Sequence, residues 1–224
     1  MLATAARRAI LENAPCRAHR RWPVSRRVKI GFLGGSFDPV HNGHLAAAAD
    51  ACDGAGLDRV VFMPAAQAPL KSGVPGAPVA DRLAMLRAAV TGDARFEVSE
   101  SELRRGGVSY TVDTARALHA AQPGDELFWI LGADQLAQLP RWREVGELAR
   151  LVGFIVVGRP GHALETAAAA ARAAIPALRL TRIAGRQVDI SSTELRTRLR
   201  RGEPVDAWMP QKAVVYLREK RLYL

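Results

Sequence analysis

Residues 34–44, GGSFDPVHNGH, decide how this 224-residue chain is read. They follow the apolar run VKIGFL at 28–33, which reads as a β-strand closing in a glycine turn. The residues behind them, 43–51, are alanine-rich and read as a helix. The segment is therefore a strand–loop–helix corner. Gly34 and Gly35 let the backbone approach an anion closely, and a helix N-terminus offers N–H groups and a positive dipole end. His41 and His44 stand three residues apart and converge on one group if the helix begins near Asn42. This is chemistry for holding nucleotide phosphates. A glycine pair alone would read as a tight turn, and a lone histidine as a structural residue. Asp38-Pro39 and the HxGH pair move the reading away from both, and the spacing matches neither GxxxxGK[ST] nor GxGxxG.

Apolar runs of strand length recur at 28–33, 59–63, 96–99, 127–131, 151–157 and 178–183. Helical patterns lie between them at 80–89, 111–121 and 164–174. This alternation predicts an α/β fold, Rossmann-like and doubly wound, with a mostly parallel sheet and helices on both faces. Ligands of such sheets bind beyond the carboxyl ends of the strands at a switch point, where the 34–44 corner stands.

Composition narrows the class. With 49% apolar residues the chain can bury a full core. The two cysteines, Cys16 and Cys52, have no metal spacing, so a structural disulfide is not expected and a reducing cytoplasm fits. The apolar runs are too short to span a bilayer. The net charge of +10 suggests nucleic acid, but residues 1–29 hold seven Arg and one Lys against one Glu, a net of +7. What remains is ordinary for an enzyme that binds anions. Residues 1–27 are expected to be a disordered basic extension, with an upstream start codon or a transit-peptide-like segment as alternatives. Residues 28–224 are expected to form a single domain.

Two further segments carry chemistry. The loop at 64–78 is rich in Pro, Gly and Ala, with Lys71 its only charge and a candidate phosphate clamp. At 190–196, ISSTELR reads as a helix start capped by hydroxyls. Its three hydroxyls and Arg196 also make a polyphosphate cradle.

The GGSFDP and HxGH elements together with ISSTELR resemble the adenylyltransferases of NAD biosynthesis, within the HxGH nucleotidyltransferases. DRLAML at 81–86, SYTVDT at 109–114, GAD at 132–134, LPRW at 139–142 and RPG at 159–161 are similar to the bacterial nicotinate-nucleotide adenylyltransferases. The likeness runs in register from about residue 28 to 224. One departure is Pro69-Leu70-Lys71, where that family commonly has Pro-His-Lys; the lysine is kept.

The resemblance implies transfer of the adenylyl group of ATP to nicotinate mononucleotide, in the cytoplasm. It implies His44, His41 and Lys71 as catalytic residues, with Gly34, Gly35, Ser36 and Phe37 lining the phosphates. Ser191, Ser192, Thr193 and Arg196 would grip the β- and γ-phosphates. Tyr110, Thr111 and Val112 would meet the nicotinate carboxylate, Trp142 would stack on the ring, and Asp134 and Arg159 would serve the mononucleotide. Mg²⁺ is expected through the ATP phosphates, with no protein-held metal, and neither nucleic acid nor membrane as partner. A homo-oligomer is left open. The rivals are a transferase for phosphopantetheine or a small alcohol phosphate, and a basic nucleic-acid-binding module. SYTVDT and LPRW speak against the first, and sparse aromatics (6%) against the second.

Overall fold

Period-two burial builds a sheet covered on both sides. The computed structural model describes residues 27–67, 76–158, 162–186 and 188–224. Its strands are β1 (Lys29–Gly35), β2 (Arg59–Pro64), β3 (Phe96–Val98), β4 (Glu126–Gly132), β5 (Gly153–Gly158) and β6 (Leu180–Ala184). The helices are α1 (Asn42–Ala55), α2 (Val79–Val90), α3 (Ser101–Arg105), α4 (Thr111–Ala121), α5 (Ala133–Gln138), α6 (Val145–Leu151), α7 (His162–Ala174), α8 (Ser192–Arg200) and α9 (Gln211–Glu219). The strand order is β3-β2-β1-β4-β5-β6 and every pairing is parallel. The order reverses direction between β1 and β4, which places the switch point there.

Successive strand residues point to opposite faces, so each strand feeds two cores. Ile30, Phe32, Trp129, Phe154 and Val156 pack with α4, α5, α6 and α7. Leu33, Phe62, Ile130, Ile155 and Val157 pack with α1, α2, α8 and α9. Gly31 stands where β1 meets its second layer: a Cβ there would lie 2.6 Å from Leu57 and 2.8 Å from Ile130. A side chain at that position would force both of those side-chain ends to move.

β1 runs on through Gly34 and Gly35, which the sequence reading placed in a turn, because both remain paired with β2. Two strands start two residues later than expected. The fifth strand begins at Gly153, because Leu151 closes α6 and the Val152 N–H bonds back to Leu148. A buried helix end and a buried strand form one continuous apolar run there, which hides the boundary. The sixth strand starts at Leu180, after a turn closed by Leu178 N–H on Ile175. The short helices α3, α5 and α6 carry too few turns to show a period. Residues 1–26, Pro69, Leu70, Lys71 and Arg159 lie outside the described residues. Among the described residues, no helix is long and apolar enough to cross a membrane.

The layers are tied together at the carboxyl end of β1 by Asp38, which is 6% exposed. Its carboxylate accepts the Gly76 N–H (2.7 Å), the Ala77 N–H (3.1 Å) and the Tyr223 hydroxyl (2.7 Å). Burial and the bond to Asp38 push the Tyr223 phenol pKa up, so it remains a donor. Arg196 on α8 donates to the Asp38 carbonyl (2.6 Å) and Ser192 donates to the Pro39 carbonyl (2.9 Å). The 34–44 corner, residue 76, α8 and the residues around Tyr223 thus meet at Asp38 and the carbonyl that follows it. In Asp38→Asn an amide NH₂ would face one of these donors. The substitution is expected to cost about 3 kcal/mol and to lower Tm by roughly 6–12 °C in thermal denaturation.

Cys52 is a free thiol on the buried face of α1, and burial chiefly pushes its pKa up to about 11. Peptide mapping after iodoacetamide treatment at pH 8 is therefore expected to find Cys52 unmodified in the folded protein and modified in denaturant.

Candidate active site

At the carboxyl end of β1, Gly34 and Gly35 still pair with Met63 and Pro64 of β2, and the chain leaves the sheet at Ser36. Phe37 follows with φ +48°, the left-handed region that non-glycine residues enter at a cost. Its ring is buried, edge-on to His44 (centroids 5.0 Å) and against Phe62 (5.8 Å). The Phe37 side chain is therefore a wedge under the histidines, and only its backbone faces the loop. The Asp38-Pro39 peptide is cis.

His41 takes extended backbone at the N-cap of α1, and the helix begins at Asn42, as the sequence reading required. The His41 N–H donates to Nδ1 of His44 at 3.2 Å. That bond needs Nδ1 unprotonated, so a neutral His44 carries its hydrogen on Nε2. The two imidazoles stack with centroids 3.7 Å apart. A Cβ on Gly43 would press on the His41 ring at 3.0–3.1 Å and would have to displace it by a few tenths of an ångström.

Arg82, buried to 1% exposure on α2, supports the loop from below. It donates to the Ser36 carbonyl (2.6 Å) and to the Ala65 carbonyl (3.2 and 3.3 Å). Burial pulls its pKa down, while Asp38 and Tyr223 raise it. Sequence reasoning gave Arg82 no role. The available signal was a cation at 82 on the helix face that also carries the buried Leu86 and Ala89.

The N-terminus of α8 stands beside this corner. Ser191 is its N-cap and accepts the Glu194 N–H at 3.1 Å; Ser192 donates to Pro39, and Thr193 accepts from Arg196 at 3.2 Å. All three hydroxyls are engaged inside the protein. What α8 presents to an anion is its helix end and the partly exposed head of Arg196.

A second group of residues gathers around α4. Tyr110 is its N-cap, Thr111 opens the helix and Val112 is buried. Just before them, the Ser109 N–H bonds to the Gln67 carbonyl (2.9 Å) and the Ser109 hydroxyl accepts the Ala66 N–H (3.2 Å). The start of α4 is thereby fixed to the chain leaving β2. The 139–147 segment folds onto it. The Arg143 guanidinium lies 4.7 Å over the Tyr110 ring, and Arg116 on α4 binds Glu147 at 2.8 Å. Trp142, half-buried, packs against the core of this face. Asp134 is exposed in the first turn of α5, at the carboxyl end of β4. It is not the cap of that helix; Gly132 is.

The arrangement has the composition of a polyanion site. The corner, α4, α5 and α8 bring helix N-termini, two imidazoles and a guanidinium toward the edge where β1 and β4 part. Among the described residues, no group of three or more His, Cys, Asp or Glu side chains is placed to hold a metal.

Comparison with known proteins gives the family. Residues 32–198 match the cytidylyltransferase-like family model. A probable nicotinate-nucleotide adenylyltransferase of Opitutus terrae is 57% identical over 196 residues, covering 88% of this chain and 98% of that protein. Its Thermus thermophilus counterpart is 44% identical, covering 88% and 100%. Among solved structures, the Plasmodium falciparum nicotinic acid mononucleotide adenylyltransferase complexed with NaAD superposes with a TM-score of 0.71 at 17% identity, covering 88% of this chain and 98% of the other. That likeness concerns the fold. By the matched model and the identity to these relatives, the chain belongs to the cytidylyltransferase-like family and, within it, to the nicotinate-nucleotide adenylyltransferases.

Proposed function

We propose that this chain transfers the adenylyl group of ATP to nicotinate mononucleotide, giving nicotinate adenine dinucleotide and pyrophosphate in NAD biosynthesis. One observation carries the reading: the HxGH corner and the start of α8 meet at the carboxyl end of β1. Ser192 on Pro39 and Arg196 on Asp38 join segments 153 and 158 residues apart. Two anion-receiving elements on one strand end suit a triphosphate. The activity for which the relatives are named supplies the acceptor.

In the reaction a phosphate oxygen of the mononucleotide attacks the α-phosphorus of ATP. The bond from that phosphorus to the bridging oxygen breaks, and pyrophosphate leaves with the electron pair. The nucleophile is already anionic, so the protein's task is positioning and charge stabilisation. His44, with its hydrogen on Nε2, donates to an α-phosphate oxygen as charge builds there, and His41 holds a neighbouring oxygen. The backbone of Gly34, Gly35, Ser36 and Phe37 lines the phosphates. The start of α8 and Arg196 receive the β- and γ-phosphates, with the hydroxyls of Ser191, Ser192 and Thr193 shaping that helix end. Lys71 is assigned to the same phosphates.

The acceptor lies across the switch point. A helix N-terminus favours a carboxylate over a neutral amide, which supports placing the nicotinate carboxylate at Tyr110, Thr111 and Val112. Trp142 stacks on the pyridine ring, while Asp134 and Arg159 contact the ribose and phosphate of the mononucleotide. The donor set is N–H groups, imidazoles and a guanidinium, suited to anions rather than cations. Mg²⁺ therefore enters as part of the MgATP substrate. Residues 28–224 act as one nucleotidyltransferase domain in the cytoplasm, without nucleic acid or membrane as partner, and residues 1–27 are a basic extension outside it.

With MgATP, pyrophosphate release is expected with nicotinate mononucleotide and only weakly with nicotinamide mononucleotide. His44→Ala should lower kcat about a hundredfold, the loss of roughly 3 kcal/mol of transition-state stabilisation. Equal kcat/KM for the two acceptors would sink the acceptor assignment, and an active mutant would move the catalytic centre. Deleting residues 1–27 separates the enzyme from the nucleic-acid-binding alternative: turnover is expected to persist in the shortened chain.

A further inference from the structure

A second buried carboxylate lies beneath the start of α4. Glu102 on α3 is 3% exposed, and the hydrogen bonds around it run in one direction. Arg105 donates to the Thr114 hydroxyl at 2.9 Å, and that hydroxyl donates onward to Glu102 at 2.7 Å. From the other side, the Ala66 N–H donates to the Ser109 hydroxyl at 3.2 Å, and Ser109 is in turn hydrogen-bonded to Glu102. Each hydroxyl has one hydrogen, and each is already an acceptor, so both hydrogens are directed at the same carboxylate. Burial pushes the Glu102 carboxyl pKa up, and the Thr114 bond, the Arg105 charge and the Ser109 bond oppose it.

The two hydroxyls bracket the segment that matters. Ser109 immediately precedes Tyr110, Thr111 and Val112, and Thr114 lies one turn into α4. Ser109 is itself fixed to β2's exit, through its N–H on Gln67 and the pairing of Gln67 with Val108. An apolar side chain at 102 would fill the space but leave both hydroxyl hydrogens without an acceptor.

We propose that Glu102 is the positioning residue of the acceptor half-site: by holding Ser109 and Thr114 together, it sets where the first N–H groups of α4 point. The inference rests on the reading that the start of α4 receives the nicotinate carboxylate. Glu102 touches no substrate. It acts through the backbone of residues 109–112, so its loss falls on the acceptor and spares the triphosphate end, which is built on β1 and α8.

The test uses the full chain carrying Glu102→Gln, which keeps the shape but turns one acceptor oxygen into a donor, and Thr114→Val, which removes one arm. Both are expected to raise KM for nicotinate mononucleotide about tenfold. KM for ATP and kcat should stay within about twofold, and amide hydrogen exchange should accelerate at residues 109–112 but not at the start of α8. Equal rises in both KM values, or unchanged exchange at 109–112, would overturn the proposal. If Glu102→Gln does not fold, Thr114→Val decides alone. A wild-type protein inactive with nicotinate mononucleotide would defeat the functional reading instead, and the exchange measurement would still decide the role of Glu102.

Discussion

The site depends on a single buried carboxylate. Loops at the carboxyl ends of parallel strands have no ladder to hold them, so their geometry must come from elsewhere. Here Asp38 supplies it by gathering two backbone N–H groups, a phenol and, through its carbonyl, a guanidinium. The cost of withdrawing a carboxylate from water is offset only when such donors surround it. The arrangement makes the last turn of the chain part of the architecture of its first loop. Tyr223 and Asp38 are 185 residues apart in sequence and 2.7 Å apart in space.

Cations under and around the corner divide the work by depth. Arg82 is sealed in the interior, where its guanidinium satisfies the carbonyls of Ser36 and Ala65 and so ties the loop after β1 to the chain leaving β2. Arg196 sits nearer the surface, with one nitrogen on Asp38 and another on Thr193. Neither is a loose surface charge. A planar guanidinium with five donors can brace a loop in several directions at once, which an ammonium cannot do.

Much of this was legible in the sequence because it is local. The corner at 34–44, the helix at Thr111–Ala121 and the Ser191 cap each announce themselves within a dozen residues, and the β-α alternation gave the layers. The strand order was legible only in kind. Pairing of β1 with β4 across almost a hundred residues leaves no trace in period or composition. The same applies to the site. The motifs named His44 and Arg196, but not that the Ser192 hydroxyl would bond the Pro39 carbonyl or that Thr193 would accept from Arg196. Arg82, Tyr223 and Glu102 escaped for a shared reason. Each earns its place through a partner distant in sequence or through burial, and a single chain read in order displays neither.

The bond from the His41 amide to Nδ1 of His44 reaches beyond geometry. A backbone N–H does not titrate, so the nitrogen it faces is held as an acceptor while the ring is neutral. The hydrogen then has only Nε2 to occupy. A histidine free to choose its tautomer would spend part of its time with a lone pair on Nε2, repelling any anion it met. Here the fold has made that choice once, in the backbone, and the neutral ring offers Nε2 as a donor at no further cost of reorientation.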